Sequence, residues 1–258
     1  MNLENWLENY FKQAVTFVKN SANLTACSQI IELENGECYI LHQQSERATN
    51  LGINYGLEWQ ILNTITPLNI APNVLYHNQE FTLLSYIKGA EVTQFSLPLL
   101  SQLAQHLAKL HQFNDQQAVR SLQKFANFDI VERCYFLYQQ LSPQQKKHID
   151  ISILKQIKLK PVKPFAKGIC HHDLHLGNFI ENDGQLFLID WEYAAVSDPA
   201  LDIALFFNAN KLTTKQKNYF FDYYLELTKF NQQAFKSKIN EYQVVVNLLN
   251  QVWEEVAK

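Results

Sequence analysis

The chain has 258 residues, 47% of them hydrophobic, which is enough to bury the cores of about two lobes. Its formal net charge of −3, with 22 basic residues and no basic run, lacks the positive patch that binding to a phosphate backbone needs, so no nucleic-acid partner is expected. Four cysteines without CxxC spacing exclude a zinc ribbon, and no stretch is long and apolar enough to span a bilayer, so we expect a cytoplasmic protein with reduced cysteines and no stable membrane insertion.

Apolar residues recur at helical spacing through the first 18 residues and predict an amphipathic helix. Acidic Glu4 and Glu8 stand where a signal peptide would carry basic residues, so a secretory leader is not expected. We expect the apolar face to dock onto the rest of the fold. The residues of this face are Leu3, Trp6, Leu7, Tyr10, Phe11, Val15 and Val18.

A hairpin and a helix are predicted next. Asn35 and Gly36 lie between two β-prone arms in residues 30–41, and Asn-Gly is the strongest short-range signal for a tight hairpin. Residues 55–65 carry apolar side chains at helical spacing and stop before a proline, so they predict one helix, which includes Glu58.

The chain then changes from sheet to helix. Residues 74–87 predict a second hairpin with its turn at 77–80, and Gly89 follows as a breaker. Residues 98–111 and 128–140 have the apolar spacing of amphipathic helices. A short strand-loop-strand unit with a turn at Asn182-Asp183-Gly184 comes next, and everything from Pro199 onward is predicted to be helical.

The strand-loop-strand unit holds the sharpest chemical pattern, HHDLHLGN at 171–178 followed by LIDWE at 188–192. Phosphoryl transfer needs a carboxylate to receive the hydroxyl proton and oxygen ligands to hold magnesium against the nucleotide phosphates. Asp173, Asn178 and Asp190 are the residue types of the H-x-D-x-x-x-x-N pattern and its following metal aspartate, in the right order and spacing. Asp190 also follows an apolar strand, where a charge is costly unless it is paired or metal-bound.

A different chemistry uses some of the same residues. His171, His172, Asp173 and His175 are good zinc donors, so metal-dependent hydrolysis is an alternative. Neither the H-x-H-x-D-H pattern of binuclear hydrolases nor H-E-x-x-H is present, which makes it the less favoured one. We interpret His172 and His175 as loop-packing or solvent-facing residues.

The segment HHDLHLGNFIENDGQLFLIDWEYAAVSDPALDIA resembles the aminoglycoside phosphotransferase, choline kinase and thiamine kinase superfamily. The resemblance implies an α+β, two-lobed protein-kinase-like fold, with a small antiparallel-sheet N-lobe and a larger, mostly helical C-lobe. It implies a nucleotide-binding lobe at 1–87 and a catalytic, substrate-binding lobe at 88–258. It also implies a kinase that uses ATP and Mg²⁺ to phosphorylate a small-molecule alcohol.

The resemblance assigns roles within the motif. Asp173 is the implied catalytic base, and Asn178 and Asp190 are the implied magnesium ligands. His171 is expected to brace the catalytic loop, and Asp202 is expected to support it from the following helix.

The resemblance also places the nucleotide site in the N-lobe. Ser85, Tyr86 and Ile87 match the hinge that binds adenine through its backbone. His42 stands where strand three normally ends in Lys or Arg, and Glu58 is the matching helix glutamate.

The N-lobe departs from the family pattern in two places. The nucleotide-covering loop would fall at 22–29, which contains no glycine, and the strand-three cation is replaced by His42. Glu58 must then pair with His42, with Arg47, or with nothing. A catalytically weak pseudokinase or a ligand-binding module is therefore the alternative function.

Aromatic and acidic residues near the motif and at the end of the chain favour a cationic alcohol, of thiamine or choline type. The sequence does not exclude ethanolamine, a sugar or an aminoglycoside as the acceptor. It does not distinguish ATP from GTP as the phosphate donor, and it predicts no oligomeric state. The candidate substrate residues are Trp191, Glu192, Tyr193, Trp253 and Glu254.

Overall fold

A computed structural model describes residues 2–18, 28–113, 128–152 and 163–256. Its N-terminal part is a five-stranded antiparallel sheet with the strand order β1-β2-β3-β5-β4. Both predicted hairpins are confirmed, and Gly36 in the first turn has a φ of 78°, which favours glycine. Of the glycine-free stretch 22–29, positions 28 and 29 begin β2, and the others lie outside the described residues. The strands are β1 (Val15–Val18), β2 (Ser28–Leu33), β3 (Cys38–Gln43), β4 (Val74–His77) and β5 (Phe81–Ser85).

Three helices accompany this sheet: α1 (Leu3–Phe11), α2 (Glu46–Asn50) and α3 (Tyr55–Ile65). The prediction for 55–65 is confirmed, and Asn54 caps that helix by accepting a hydrogen bond from the backbone N–H of Leu57.

The first helix is shorter than predicted. It ends at Phe11 because Lys12 takes a left-handed conformation, and β-branched Val15 and Val18 pair with β2 instead. The apolar face docks as expected, since Leu7 is fully buried against Leu33 and neighbouring sheet residues.

The C-terminal part is mostly helical. The helix predicted at 98–111 begins one residue earlier, after Ser96 caps it through the backbone N–H of Leu99. No helix in the described part of the chain is long and apolar enough to cross a membrane. The helices are α4 (Leu97–His111), α5 (Ile130–Gln140), α6 (Pro143–Lys146), α7 (Pro199–Ala209), α8 (Thr214–Thr228) and α9 (Gln232–Val256).

Two small sheets carry the loops between the lobes. One has the order β6-β8-β9, and the other pairs β7 with β10. Their strands are β6 (Ala90–Glu91), β7 (Gly168–Cys170), β8 (Phe179–Asn182), β9 (Gln185–Leu188) and β10 (Ala195–Ser197), and single 3₁₀ turns lie at Thr66–Leu68 and Leu176–Asn178.

One large buried cluster joins the two parts of the molecule. Ile61 of α3 and Leu84 of β5 belong to the same cluster as Leu107 of α4 and Phe179 of β8. Packing of this kind holds the end of β5 beside the β8–β9 hairpin. The lobe boundary between residues 87 and 88 stays a prediction.

Candidate active site

Asp202 anchors the catalytic loop from the first turn of α7. It is fully buried, its Oδ2 accepts the backbone N–H of His171 at 3.0 Å, and its Oδ1 accepts that of His172 at 2.8 Å. His111 Nε2 donates to Oδ2 at 3.0 Å, and its Nδ1 lies 2.7 Å from the Tyr224 hydroxyl. Burial opposes ionisation, but the hydrogen bond and charge of His111 dominate and lower the pKa of Asp202 to about 2. Asp202 is therefore a permanent anion that fixes the loop backbone.

His171 braces the same loop from inside. Its Nε2 donates to the carbonyl of Ile189 at 3.0 Å, and its Nδ1 accepts the backbone N–H of Asp173 at 3.3 Å. Burial lowers the pKa of His171, so the ring is neutral and both nitrogens are committed. This geometry agrees with the expected bracing position.

Asp173 is held on one side only. Asn178 donates from Nδ2 to the Asp173 carbonyl at 2.8 Å and to Oδ2 at 2.9 Å. His175 Nε2 lies 3.5 Å from the same Oδ2, and the bond to Asp173 raises the pKa of His175. These contacts engage Oδ2, and no hydrogen bond joins Oδ1 of Asp173 to another residue in the described part of the chain. In the same way, Oδ1 of Asn178 is the amide atom left for a metal.

Asp190 is the acidic residue of the site whose negative charge is least compensated by its surroundings. It has a φ of 62°, and its Oδ1 is shut off from solvent without a partner among the described residues, although the residue as a whole is half-buried. Burial, then the charges of Glu192, Asp173 and Glu58, raise the pKa of Asp190 well above its ordinary value. Oxygen ligands that crowd negative charge in this way suit a divalent cation.

His42 and Glu58 form a buried pair between β3 and α3. His42 Nδ1 lies 2.9 Å from Glu58 Oε2, and both side chains are almost fully buried. Burial lowers the pKa of His42, but the charge and hydrogen bond of Glu58 outweigh it, and the net shift is upward. Arg47 is exposed on α2, so of the three alternatives for Glu58, which were His42, Arg47 or no partner, the structure has His42.

One cleft brings together the residues predicted for the nucleotide except Glu58, which contacts His42 but does not line the cleft. Its walls include His42, Asp190 and the hinge residues Ser85, Tyr86 and Ile87. The Ser85 N–H bonds to the Asn73 carbonyl at 2.9 Å, whereas no backbone hydrogen bond joins Tyr86 or Ile87 to another described residue. The hinge therefore offers free backbone groups to a ligand.

A second cleft opens on Asp173. Phe128, Tyr193 and Trp253 supply aromatic walls, and Arg133 of α5 reaches into it. The sequence reasoning missed Arg133, because a single arginine in the segment IVERCYF looks like any exposed helix residue. Its only signal is the four-residue spacing to Leu137, which also lines the cleft.

The second cleft corrects three predicted substrate residues. Trp191 is buried in the core, where Nε1 donates to the Leu188 carbonyl at 2.8 Å, because the ring packs under the catalytic loop. Glu254 is exposed and does not line the cleft, because it lies on the outer face of α9. Glu192 is buried and does not line it either. Tyr193 and Trp253 do line it.

The zinc alternative finds no support in the described residues. Both nitrogens of His171 are committed, and His172 Nδ1 donates to the Tyr193 carbonyl at 3.1 Å. Among these residues the donors close enough for a metal are His111, Cys170 and Asp202. Hydrogen bonds to the loop already occupy that carboxylate.

A five-stranded sheet beside a helical lobe, with a braced H-x-D loop between two clefts, defines a kinase fold of two lobes. The chain matches the family model described as "Phosphotransferase enzyme family" over residues 57–235, and it belongs to this family. A relative named thiamine kinase, from Shigella boydii serotype 4, is 26% identical over 199 residues, which cover 77% of this chain and 68% of the relative.

Solved structures share the fold. The choline kinase LicA of Streptococcus pneumoniae matches with a TM-score of 0.67 at 18% identity, covering 99% of both chains. An ADP-bound aminoglycoside phosphotransferase matches with a TM-score of 0.64 at 16% identity, covering 99% of this chain and 97% of that one. These structures confirm the predicted fold class, and the family model and the thiamine kinase relative confirm the superfamily resemblance.

Proposed function

We propose that the chain is an ATP- and Mg²⁺-dependent kinase that phosphorylates the hydroxyl of a small alcohol. The two clefts meet where Asp173 and Asp190 lie close enough for the charge of one to raise the pKa of the other. The nucleotide binds in the hinge cleft of the lobe that ends near residue 87, and the alcohol binds in the Asp173 cleft. The ADP-bound state of the structural relative supports nucleotide binding in this fold.

The observation that carries the proposal is the Asp190 carboxylate. Its buried Oδ1 has no partner among the described residues, and three other acidic side chains act on it. Such a group is costly in a folded protein unless a cation compensates it. Asp190 and Oδ1 of Asn178 would hold Mg²⁺, which neutralises the phosphate oxygens when it is bound.

Asp173 would act as the base. Oδ2 is held by Asn178 and His175, so Oδ1 faces the cleft to receive the hydroxyl proton. Asp202 and His171 keep this carboxylate in place through the loop backbone. The arrangement supplies orientation and proton acceptance, which are the main demands of phosphoryl transfer.

The names of the relatives, thiamine kinase and choline kinase, and the aromatic walls at Tyr193 and Trp253 agree with the predicted cationic alcohol, whereas the Arg133 charge over the Tyr193 ring opposes it. A ligand-binding module without activity is the second candidate, because His42 replaces the strand-three Lys or Arg of the family pattern.

Release of ADP from ATP and Mg²⁺, measured with a panel of alcohols, tests the proposal. We expect at least one alcohol to stimulate ADP release well above the alcohol-free rate, in wild type and not in Asp173→Asn. Nucleotide binding without any stimulated release would favour the binding module.

A further inference from the structure

The Arg133 guanidinium lies in the cleft that opens on Asp173, where Tyr193 and the Glu192 carboxylate act on its charge from beyond ion-pair distance. No hydrogen bond or ion pair within 4 Å joins it to another described residue, and its contacts are the rings of Tyr193 at 5.2 Å and Phe136 at 5.9 Å. Burial lowers the pKa of Arg133, because the protein has removed water from the charge. An arginine presents five donors, which a ligand in the cleft can use.

The space for this guanidinium is built into the backbone. A Cβ on Gly52 would lie 2.0 Å from Arg133 Nη1 and 3.1 Å from the Phe136 ring. The turn after α2 therefore approaches so closely that only a glycine leaves the arginine in place. The guanidinium is fixed by Gly52, Phe136 and Tyr193 rather than extended into solvent.

Arg133 already occupies the aromatic surface that a cationic ligand would use. Its Cζ lies over the Tyr193 ring, so a quaternary ammonium at that ring would meet a like charge in a partly desolvated cleft. Trp253 packs edge-on against Tyr193, with ring centroids 5.7 Å apart. The aromatic ring of Tyr193 is therefore already in a cation–π contact with Arg133, so it is not available to a cationic ligand.

Two further polar atoms in the cleft lack partners among the described residues: His172 Nε2 and the Tyr193 hydroxyl, both buried. His172 donates from Nδ1 to the Tyr193 carbonyl, so Nε2 of the neutral ring is an acceptor. Burial and the charge of Glu192 raise the pKa of Tyr193, so its hydroxyl keeps its proton and is a donor. Both atoms are shut off from solvent in the walls of the cleft, so Arg133 is the group on which the choice of ligand rests.

We propose that Arg133 binds an oxyanion of the acceptor, either a carboxylate or a phosphate, so that the acceptor is an acidic alcohol and not a cationic one. This rests on the proposed kinase function. The planar guanidinium forms paired hydrogen bonds with either oxyanion.

The test compares acceptors that differ in charge. Glycolate, glycerate and 4-hydroxybutyrate represent hydroxy acids, glycerol 3-phosphate represents phosphorylated alcohols, glycerol is the neutral reference, and choline and thiamine are the cations. We expect a hydroxy acid or glycerol 3-phosphate to give the highest kcat/KM, and the better of the two identifies the oxyanion.

Arg133→Met removes the charge and keeps the length of the side chain. We expect it to lower kcat/KM for the acidic acceptor about 10- to 100-fold, because one or two charged hydrogen bonds are lost. The KM for ATP should not change. Arg133→Lys should recover part of the loss. Arg47→Met is the matched control, because Arg47 is exposed outside the cleft, and it should leave every rate unchanged.

A structural role for Arg133 predicts a different pattern. If the arginine only packs, Arg133→Met should lower the Tm and reduce the rates with all acceptors equally. We expect the Tm to stay equal or rise, because the change removes a desolvated charge that has no ion pair within 4 Å among the described residues. Three results would overturn the inference without contradicting the kinase proposal. They are an equal loss for all acceptors, a loss confined to ATP binding, and a preference for choline or thiamine that Arg133→Met leaves unchanged.

If no alcohol is phosphorylated, the kinase proposal fails and binding decides the inference. Calorimetry with glycerate and with glycerol 3-phosphate in the presence of ADP and Mg²⁺ should then show binding that Arg133→Met abolishes. No binding of either compound by wild type would overturn the assignment.

Discussion

Nδ1 of His42 lies 2.9 Å from Oε2 of Glu58, and we interpret this buried pair as the counterpart of the Lys or Arg and the glutamate of the family pattern. The charge of Glu58 holds the pKa of His42 above its ordinary value in spite of burial. A protonated His42 in the nucleotide cleft is a cation next to the expected phosphate position.

We predict that nucleotide affinity depends on the charge of His42. The folded pKa is raised, so the imidazolium is fully present below about pH 6.5, the ordinary histidine value. The charge is lost as the pH rises through the higher folded pKa. The Kd for ADP, measured by calorimetry from pH 6 to 9, should therefore increase with pH in wild type.

Two variants check the His42 prediction. His42→Lys should give a Kd that is flat over this range, since lysine titrates near 10.4. His148→Ala is the control, because that side chain is mostly exposed and lies outside the cleft, and it should keep the wild-type profile. A wild-type Kd that is independent of pH would contradict the role of His42.

Asp190→Asn should stabilise the metal-free protein and abolish its response to magnesium. The amide keeps the left-handed backbone, which Asn tolerates, and removes a carboxylate whose Oδ1 has no partner in the described residues. We expect the Tm without metal to rise by about 2–6 °C, which corresponds to a gain of about 1–2 kcal/mol in the free energy of unfolding. Magnesium should tighten ADP binding in wild type and not in the variant, and equal tightening in both would remove Asp190 from the metal site.

Asp202→Asn should destabilise the fold, because one carboxylate accepts three hydrogen bonds from His111, His171 and His172. We expect a loss of about 2–4 kcal/mol in urea unfolding at pH 7. The folded pKa of about 2 lies below the unfolded value, so the contribution of the charge is present above about pH 4.

That contribution should shrink as the pH falls from about 4 toward 2. Asp222→Asn, at an exposed position of α8, is the matched control and should unfold like wild type throughout. A difference between Asp202→Asn and wild type that does not change with pH would assign the loss to geometry alone.

The local parts of the site could be predicted because the chain itself fixes them. Asp173 and Asn178 lie five positions apart in one loop, and the following hairpin returns Asp190 beside them. The distances between these three residues are therefore set by the local chain and depend little on how distant segments pack. The sequence placed His42 at the end of one strand and Glu58 in the first turn of one helix, but it left His42, Arg47 or no partner open for Glu58, and the structure has His42.

The remaining parts depend on contacts between distant segments. Arg133 lies in the cleft because α5 packs beside Gly52. No local sequence pattern predicts this contact between two segments that are far apart in the chain. Trp191 was misassigned because its neighbours in sequence belong to the site while its own ring packs under His171. Val15 and Val18 fit a helical period, but pairing with β2 decided their structure.

Transfer of label from γ-³²P ATP to an alcohol, in a single turnover with wild type and Asp173→Asn side by side, tests the central claim most directly. We predict labelled alcohol in wild type, a loss of at least about 1,000-fold in the variant, and a similar Kd for ADP in both, because the amide keeps the shape but cannot accept the proton. Equal transfer by the two proteins, or ADP binding with no transfer to any alcohol by wild type, would contradict it.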